Sequence, residues 1–363
     1  MKKIKVNLGN RSYNVLVGTG IIKSLPAVIQ SMGFAGPVVV ITDKVVEKKT
    51  KHITAPIFKS LPNQVFCLAV PSSEKSKSLN VFKDLVQKIS KNTKTHKPLI
   101  VAIGGGVVGD LAGFIAATYR RGVPFIQIPT TLLAQVDSSV GGKTGIDLPD
   151  AKNLVGAFCQ PKTVLMDPDF LKTLPKRQLR NGMAEIIKYG VIGKKGFFEF
   201  LEKNIRKILA LESKVLEKTI YECVFMKAQV VEKDEFDCKD IRIALNFGHT
   251  LGHAVEAAAK YSAYNHGEAI SIGMLLAGEI AKRLDMFEDK SQSRIEKLIK
   301  KAGLPTKARN VSIKQIMNSY GYDKKFTFGT NRFVLPLKIG KVQVIEDIPG
   351  ILIRTVLKKY TLS

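Results

Sequence analysis

The order of apolar and polar residues divides the chain into two parts. Up to about residue 170 one unit repeats: a short apolar run, a polar turn and then a helical pattern. Strands that alternate with helices in this way predict a parallel sheet with helices on its faces. The apolar runs are Val38–Thr42, Val65–Val70, Leu99–Ile103, Phe125–Ile128 and Val164–Met166. Residues 1–18 start with lysines like an export signal, but apolar and polar residues then alternate, which predicts a strand hairpin turning at Gly9-Asn10.

Helical periodicity dominates beyond Leu174. It predicts helices over 176–208, 212–233, 243–260, 266–285 and 290–302, and Gly303 with Pro305 ends the last of them. A late hairpin, Arg332–Ile339 with Val342–Glu346, precedes a short final helix. The predicted fold is an α/β N-terminal Rossmann-like parallel-sheet domain over residues 1–172, followed by a mainly α-helical domain over residues 173–363.

Composition is that of an ordinary soluble globular protein, with 45% hydrophobic and 24% charged residues. No apolar run approaches the roughly 18–20 residues that span a bilayer, so we expect no membrane partner. The four cysteines are scattered and lack metal-knuckle spacing: Cys67, Cys159, Cys223 and Cys238. This usage favours a reduced, cytoplasmic protein.

The net charge of +26 is typical of proteins that bind nucleic acids, so this class must be considered. The lysines are nevertheless spread along the chain, and no basic block is interleaved with aromatic residues as a stacking surface requires. The pattern favours a solvated surface, part of which attracts a small anionic ligand. Nucleic-acid binding is the weaker, non-enzymatic alternative.

The stretch IGGGVVGDLAGF indicates a nucleotide site. Gly104, Gly106 and Gly109 match G-x-G-x-x-G between a predicted strand and a predicted helix. Glycines let the backbone approach a pyrophosphate, and the helix N-terminus supplies amide hydrogens and the positive end of a dipole. The alternative is a glycine-rich turn required for helix–sheet packing. Asp43, which ends an earlier strand, fits either a ribose contact or a helix cap.

A second glycine-rich stretch, VDSSVGGKTGID, resembles a Walker A loop. Asp137 stands where that loop needs a glycine five residues before Gly142, which argues against a nucleoside triphosphatase. Lys143, and nine residues later Lys152 and Asn153, still collect cationic and amide groups in one polar segment. The segment predicts an anion site.

Three of the five histidines lie between residues 245 and 269. Arg242, Asn246, His249 and His253 are spaced 4, 3 and 4 residues apart, which places them on one face of the predicted helix. His266 follows thirteen residues after His253. Gly248 and Gly252 flank the two helix-face histidines and predict close approach by another element.

A second helix repeats the arrangement with Asn181, Glu185 and Lys188 in a largely apolar segment. A buried glutamate needs partners that offset its desolvation. Glu185 together with two of His249, His253 and His266 would form a two-histidine, one-carboxylate site, the ligand set of catalytic zinc. Satisfied core histidines are the alternative. HTLGH is not a metalloprotease motif, because Thr250 replaces the general base.

Taken together, the motifs extend the interpretation over the whole chain. They are GGGVVGDLAGFIAATYRRG, IPTTLLAQVDSSVGGKTGID, KNLVGAF, GMAEIIKYG, LNFGHTLGHAVEA, NHGEA and YDKK. The sequence resembles the 3-dehydroquinate synthase family. The resemblance implies an NAD-binding α/β domain, a helical metal-binding domain, an active site in the cleft between them, and a homodimer.

The resemblance also implies which positions have which role. The metal ligands for Zn2+ or Co2+ would be Glu185, His249 and His266, and His253 would face the substrate. The NAD contacts would be Asp43, Glu74, Lys77, Gly104, Gly105, Gly106, Val107, Val108, Gly109, Asp110, Thr130, Thr131, Lys143, Lys152, Phe170, Leu171, Lys172 and Thr173. The substrate positions would be Asp137, Lys143, Lys152, Asn153, Lys188, Lys227, Arg242, Asn246, His253 and Lys324 or Lys325, with Arg121 supplied by the partner subunit.

The implied reaction converts 3-deoxy-D-arabino-heptulosonate 7-phosphate to 3-dehydroquinate and phosphate. It proceeds by transient oxidation with NAD, phosphate elimination, re-reduction, ring opening and aldol closure. Two enzymatic alternatives share the architecture: another sugar-phosphate cyclase and a metal-dependent alcohol or polyol dehydrogenase. Two segments depart from the family pattern, SSEKSKS at 72–78 and DEFDCKDIR at 234–242, which is one residue longer than usual.

Overall fold

The computed structural model describes residues 1–94, 96–149, 151–260, 263–321 and 331–362. The chain forms two compact units, one made of residues 1–175 and 216–236 and the other of residues 176–215 and 237–363. Lys324 and Lys325, two of the substrate positions implied by the resemblance, lie outside the described residues. No helix in the described part of the chain is long and apolar enough to cross a membrane.

The first unit is built on a seven-stranded sheet with the order β1-β2-β9-β6-β5-β3-β4. Its strands are β1 (Lys2–Val6), β2 (Tyr13–Val17), β3 (Val38–Asp43), β4 (Val65–Val70), β5 (Leu99–Gly104), β6 (Phe125–Pro129) and β9 (Thr163–Met166), and a separate hairpin contains β7 (Lys143–Leu148) and β8 (Ala151–Phe158). β1 pairs antiparallel with β2, and every other pair in the seven-stranded sheet is parallel. The predicted N-terminal hairpin and parallel sheet are confirmed.

Helices cover both faces of this sheet. They are α1 (Leu25–Ser31), α2 (Lys44–Lys59), α3 (Leu79–Thr93) and α4 (Gly106–Thr118). Alternate residues of β3 point to opposite faces, as a strand requires. Val39 and Ile41 belong to a core with Leu85 of α3 and Leu111 of α4, whereas Val38 and Val40 belong to a core with residues of α1 and α2. Burial on both faces explains the continuous apolar runs of these strands.

The connections reverse direction between two neighbouring strands. From β3 the chain passes through α2 to β4 on one side, and from β5 it passes through α4 to β6 on the other side. β3 and β5 pair directly, with Thr42 opposite Ile103. Their carboxyl ends therefore bring Asp43 and Gly104 to the same edge of the sheet. In open α/β sheets such a reversal is where ligands bind.

The second unit is mainly helical. Its helices are α5 (Lys176–Ile192), α6 (Lys195–Leu209), α8 (His249–Ala258), α9 (His266–Arg283), α10 (Asp289–Lys301), α11 (Ile313–Gly321) and α12 (Gly350–Tyr360), with a hairpin of β10 (Arg332–Lys338) and β11 (Lys341–Glu346). α7 (Ser213–Lys233) links the units, and its residues from 216 onward belong to the first. Gly303 has φ +74° and ends α10 as predicted.

Two of the predicted helices are wrong in their continuity. The segment 176–208 is interrupted between Ile192 and Lys195, where the carbonyl of Val191 accepts a hydrogen bond from the amide of Gly340 instead of continuing the helix. The segment 243–260 is also interrupted. Arg242–Asn246 forms a 3-10 helix, Phe247 is not helical, and Gly248 has φ +80° before α8 begins. The four polar residues predicted on one continuous helix face are therefore divided between two helical segments.

Candidate active site and metal centre

Three helices of the second unit bring one carboxylate and two imidazoles together. Oε1 of Glu185, on α5, lies 3.5 Å from Nε2 of His249 on α8 and 3.4 Å from Nε2 of His266 on α9. The Glu185 side chain is 1% exposed, and its second oxygen forms an ion pair with Lys188. The three side chains that the resemblance assigned to the metal thus converge on one point.

Glycines set the distance between α8 and α9. A Cβ on Gly248 would lie 2.6 Å from Cγ of Met274, and one on Gly252 would lie 2.9 Å from Cδ1 of Ile270. A Cβ on Gly273 would overlap the carbonyl oxygen of Gly248. The predicted close approach at Gly248 and Gly252 is confirmed, and it lets the two histidine-bearing helices touch backbone to backbone.

The start of α9 is fixed from two sides. Oδ1 of Asn181, on α5, accepts a hydrogen bond of 2.5 Å from the amide of Gly267. Asn265 and Glu268 also form a capping box around the first turn, in which the Glu268 carboxylate accepts from the Asn265 amide at 2.9 Å. His266 is the first residue of this helix, so both devices hold its backbone in place.

Both imidazoles direct the same nitrogen toward Glu185. Nδ1 of His249 is 3.1 Å from the carbonyl oxygen of Phe247, and a carbonyl only accepts, so this nitrogen carries the proton. Nδ1 of His266 lies 3.4 Å from Oε2 of Glu256. Nε2 of His249 then offers its lone pair to a metal ion, and Nε2 of His266 does so once a proton on that nitrogen is lost.

The third histidine stands beside this pair. Its ring centroid is 5.2 Å from that of His249 and 5.7 Å from that of His266. Ring nitrogens of His249, His253 and His266 all lie within 4.8 Å of one another, so His253 is close enough to bind either a shared metal or a ligand held by that metal.

The protein environment changes the pKa of the two histidines that face Glu185 in opposite directions. Burial lowers the pKa of His249 to about 3, so its ring is neutral. Burial opposes protonation of His266 too, but Glu185 and Glu256 outweigh it and raise its pKa to about 9. Burial alone would raise the pKa of the Glu185 carboxyl, but Lys188 and the two imidazoles hold it well below its usual range.

These residues fit a zinc-type ion. Bonds of about 2.0–2.2 Å in a tetrahedral site place ligand atoms roughly 3.3–3.5 Å apart, which is the separation between Glu185 Oε1 and the two imidazole nitrogens. The same oxygen is buried and accepts no hydrogen bond in standard geometry from the described residues. A buried acceptor of this kind requires a partner, and a cation would supply it.

The other predicted substrate positions of this unit differ in burial and in contacts. Arg242 is buried and Asn246 partly buried in the 3-10 helix that packs against α5. The ammonium of Lys188 is buried beside Glu185 and 4.8 Å from the centroid of the Tyr189 ring. In the longer segment 234–242, Asp240 accepts two hydrogen bonds from Arg332, at 3.1 and 3.2 Å.

In the first unit, Asp137 lies in a π-helical turn, Ala134–Ser138. Its carboxylate is 2.9 Å from the ammonium of Lys227 on α7, which also donates to the carbonyl of Asp137 at 2.8 Å. Two predicted substrate positions that are 90 residues apart in sequence are therefore adjacent.

Lys77 is a buried lysine of the same unit that contacts three polar side chains. Its ammonium is 2.6 Å from Asp110 and 3.9 Å from Asp147, and it donates a hydrogen bond to Oδ1 of Asn153. Asn153 has φ 55° and donates its amide to Asp147 at 2.8 Å. The lysine therefore connects the start of α4 with the β7–β8 hairpin. In the departing segment 72–78, Ser73 caps the 3-10 turn that precedes Lys77.

The glycine loop has the packing role that its sequence allowed, and the nucleotide contact stays a prediction. A Cβ on Gly109 would overlap the side-chain amide of Gln127 on β6, and one on Gly104 would lie 2.6 Å from Val108, so these two glycines are required for packing. Gly105 is the N-cap of α4 and provides no side-chain cap, which leaves the first amides of that helix for a ligand. Asp43 accepts hydrogen bonds from the amides of Val45 and Val46, at 2.9 and 3.0 Å, and so caps α2.

The remaining predicted positions vary in exposure. Thr130, Phe170 and Leu171 are buried, and Thr131 and Thr173 are partly buried. Glu74, Arg121, Lys143, Lys152 and Lys172 are exposed. Arg121 follows Arg120 with both residues at positive φ, 49° and 62°, a rare backbone for side-chain-bearing residues.

Sequence reasoning missed Glu256. It lies three residues after His253 and seven after His249, so its place on the same face of α8 was available from the helical period. Its contact with His266 was not, because that histidine comes from the next helix.

The fold is shared with solved structures. Over 99% of this chain and 100% of the other, it superposes with a TM-score of 0.87 and 27% identity on 2-deoxy-scyllo-inosose synthase, whose crystal structure holds carbaglucose-6-phosphate, NAD+ and Co2+. The fold is also that of ValA, a 2-epi-5-epi-valiolone synthase from Streptomyces hygroscopicus subsp. jinggangensis with NAD+ and Zn2+ bound (TM-score 0.89, 24% identity, 98% of each chain). Fold and site define a dehydroquinate-synthase-like sugar-phosphate cyclase.

Comparison of sequences narrows this class. Residues 67–181 match the N-terminal domain of 3-dehydroquinate synthase, and residues 182–326 match its C-terminal domain. The 3-dehydroquinate synthase of Acidithiobacillus ferrooxidans is 41% identical over 99% of this chain and 98% of its own length, and that of Desulforamulus reducens is 43% identical over 96% and 97%. The chain belongs to the 3-dehydroquinate synthase family of carbon–oxygen lyases, which confirms the resemblance predicted from the motifs.

Proposed function

We propose that this enzyme converts 3-deoxy-D-arabino-heptulosonate 7-phosphate to 3-dehydroquinate and phosphate. The observation that supports this most directly is the cluster of buried Glu185 and His249 with partly buried His266, in a chain of this family. The substrate carries a carboxylate and a phosphate, so it also accounts for the number of cationic positions the family pattern assigns to the site.

Glu185, His249 and His266 would hold Zn2+ or Co2+, the ions named in the two structural relatives. When bound, such an ion would make a substrate hydroxyl more acidic. NAD+ would be held at the sheet edge where Asp43 and Gly104 meet and the first amides of α4 are uncapped, and when bound it would accept a hydride and return it in the same turnover.

The chain's own residues then bind and orient the anionic substrate. The family pattern assigns Lys152 and Asn153 on β8 of the first unit, and Arg242 and Lys188 of the second, as donors of the kind that carboxylate and phosphate groups require. His253, beside the metal ligands, would donate to the substrate and not to the metal. Most of these substrate-binding side chains are cations, and none is a carboxylate that could act as a base. No such base is required if the departing phosphate of the substrate takes the proton.

The homodimer with Arg121 contributed by the partner subunit is part of this proposal. Two strained residues in succession, Arg120 and Arg121, present that side chain to solvent on the surface of the first unit. A different sugar phosphate as substrate is the second candidate, because 2-deoxy-scyllo-inosose synthase is described with carbaglucose-6-phosphate.

The test is phosphate release from the heptulosonate phosphate with NAD+ at catalytic concentration, with and without a chelator. We expect release that stops with the chelator and returns with Zn2+ or Co2+, with no net NADH. Stoichiometric NADH at 340 nm would identify a dehydrogenase instead. Phosphate release from a hexose phosphate but not from the heptulosonate phosphate would identify the other cyclase.

A further inference from the structure

Of the two imidazoles that face Glu185, only His266 has a side chain as its Nδ1 partner. His249 donates to the main-chain carbonyl of Phe247 at 3.1 Å, a contact that every residue type at position 247 would keep. Nδ1 of His266 is 3.4 Å from Oε2 of Glu256. The orientation of His266 therefore depends on a group that substitution can remove.

Glu256 is placed for this role by its helix. It lies on α8, two turns after His249, and its side chain is only 10% exposed, whereas that of His266 is 30% exposed. Water is therefore largely excluded from the carboxylate side of the contact. His266 is the first residue of α9, which packs on α8 through the glycines at 248, 252 and 273. Glu256 thus reaches across the helix pair to the histidine that α9 carries.

We propose that Glu256 is a positioning residue for the metal ion, which acts through His266. The Glu256 carboxylate accepts a hydrogen bond from Nδ1 of His266, which fixes the ring so that Nε2 faces Glu185. The adjacent negative charge also makes Nε2 a stronger electron-pair donor. A histidine that binds a metal commonly donates its other nitrogen to a carboxylate, and loss of such a partner typically weakens metal binding roughly 10–100-fold. The inference rests on the metal site of the proposed function.

The experiment measures Co2+ affinity of the full-length chain by competition with a chromophoric chelator, together with the visible absorption spectrum of the bound Co2+. We expect Glu256→Leu to weaken Co2+ binding by about 10–100-fold and to change the spectrum. Glu256→Gln keeps an acceptor without the charge and should fall between Glu256→Leu and wild type. It also provides a second variant if Glu256→Leu folds poorly.

Glu279→Gln is the matched control. Glu279 is a buried carboxylate on the same helix as His266, but its partners are Lys359, Lys282 and Arg283. We expect wild-type Co2+ affinity and spectrum for this variant, because its loss affects packing without touching His266.

The outcomes separate this inference from the proposed function. If wild type binds Co2+ and Glu256→Leu binds it with the same affinity and spectrum, the role of Glu256 is refuted and the proposed function stands. If wild type itself binds no Co2+, both the metal site and the role of Glu256 are refuted. If Glu279→Gln loses Co2+ as strongly as Glu256→Leu, the effect is one of general stability and the positioning role is refuted.

Discussion

The carboxylate of Asp110 lies 2.6 Å from the ammonium of Lys77, which is only 4% exposed. Burial raises the pKa of the Asp110 carboxyl even with this lysine in contact, so the carboxylate depends on its partner. The same ammonium donates to Asn153, which the family pattern assigns to the substrate. Lys77 consequently contacts both the β7–β8 hairpin and the first turns of α4.

We expect Lys77→Met to destabilise the protein by roughly 3 kcal/mol, the lower end for removal of one partner from a buried pair, since the Asp110 side chain is 23% exposed. The double variant Lys77→Met/Asp110→Leu should lose less stability than the sum of the single variants. Urea denaturation of the four proteins measures this. Additive losses would show that the pair contributes no coupling.

The histidines differ in what their loss removes. His249→Ala and His266→Ala should purify nearly metal-free, because each would remove one of the three proposed ligands, and excess Zn2+ or Co2+ should restore activity only in part. His253→Ala should retain near-stoichiometric metal yet turn over poorly. Metal content by mass spectrometry decides between them. A metal-free His253→Ala beside a metal-replete His266→Ala would assign the ligands differently.

The glycines between α8 and α9 should be intolerant of any side chain. Gly273→Ala adds a Cβ that overlaps the Gly248 carbonyl, so the helices must separate. We expect a loss of about 1–3 kcal/mol or more and weaker Co2+ binding. Gly196→Ala, at an open position of α6, is the control and should be neutral or stabilising. Equal stability of the two variants in calorimetry would contradict the role of close packing.

Stability in acid should depend on Glu279. Burial would raise its pKa, but Lys359 and Lys282 outweigh burial and hold the folded pKa below the usual value. The stabilisation is therefore fully present above the unfolded pKa of about 4.3 and is lost as pH falls through the folded pKa. The difference in melting temperature between wild type and Glu279→Gln should shrink as pH decreases from about 6 to 3. A difference independent of pH would exclude this ionisation as the cause.

Arg121 tests whether the active site is shared between subunits. Arg121→Ala and Lys188→Ala should each be inactive alone. After verified subunit exchange, hybrid dimers should regain activity, because one site would contain both wild-type residues. Absence of recovery would place Arg121 in the site of its own subunit or outside any site.

The sequence predicted the parallel sheet because its strands are buried on both faces. Every residue of Val38–Ile41 in β3 and of Leu99–Ile103 in β5 is apolar and belongs to one of the two cores beside the sheet. Glu185 and its histidines were also predictable as a group, since ionisable side chains in largely apolar helices need partners that offset their desolvation. The glycines at 248 and 252 indicated in advance that another helix would approach.

What the sequence could not predict depends on contacts between elements. A helical period cannot reveal that the carbonyl of Val191 accepts a hydrogen bond from the amide of Gly340, 149 residues later, and that α5 ends there. The partners of Lys77 come from α4 and from both strands of a hairpin, and no spacing rule links them. The three candidates His249, His253 and His266 likewise became distinguishable only when Glu185 was placed beside two of them.

The interruption at Phe247 also determines how the metal site could be moved to another protein. The ladder of α8 begins with the bond from the Gly252 amide to the Gly248 carbonyl at 3.1 Å, so the carbonyl of Phe247 lies outside the helix and orients His249. In an uninterrupted helix that carbonyl would accept an intrahelical bond. Grafting HTLGH onto a straight helix would therefore reproduce the spacing of the two histidines without reproducing the tautomer of the first. To keep the tautomer of His249, the graft must also include the bend at Phe247-Gly248 that precedes the two histidines.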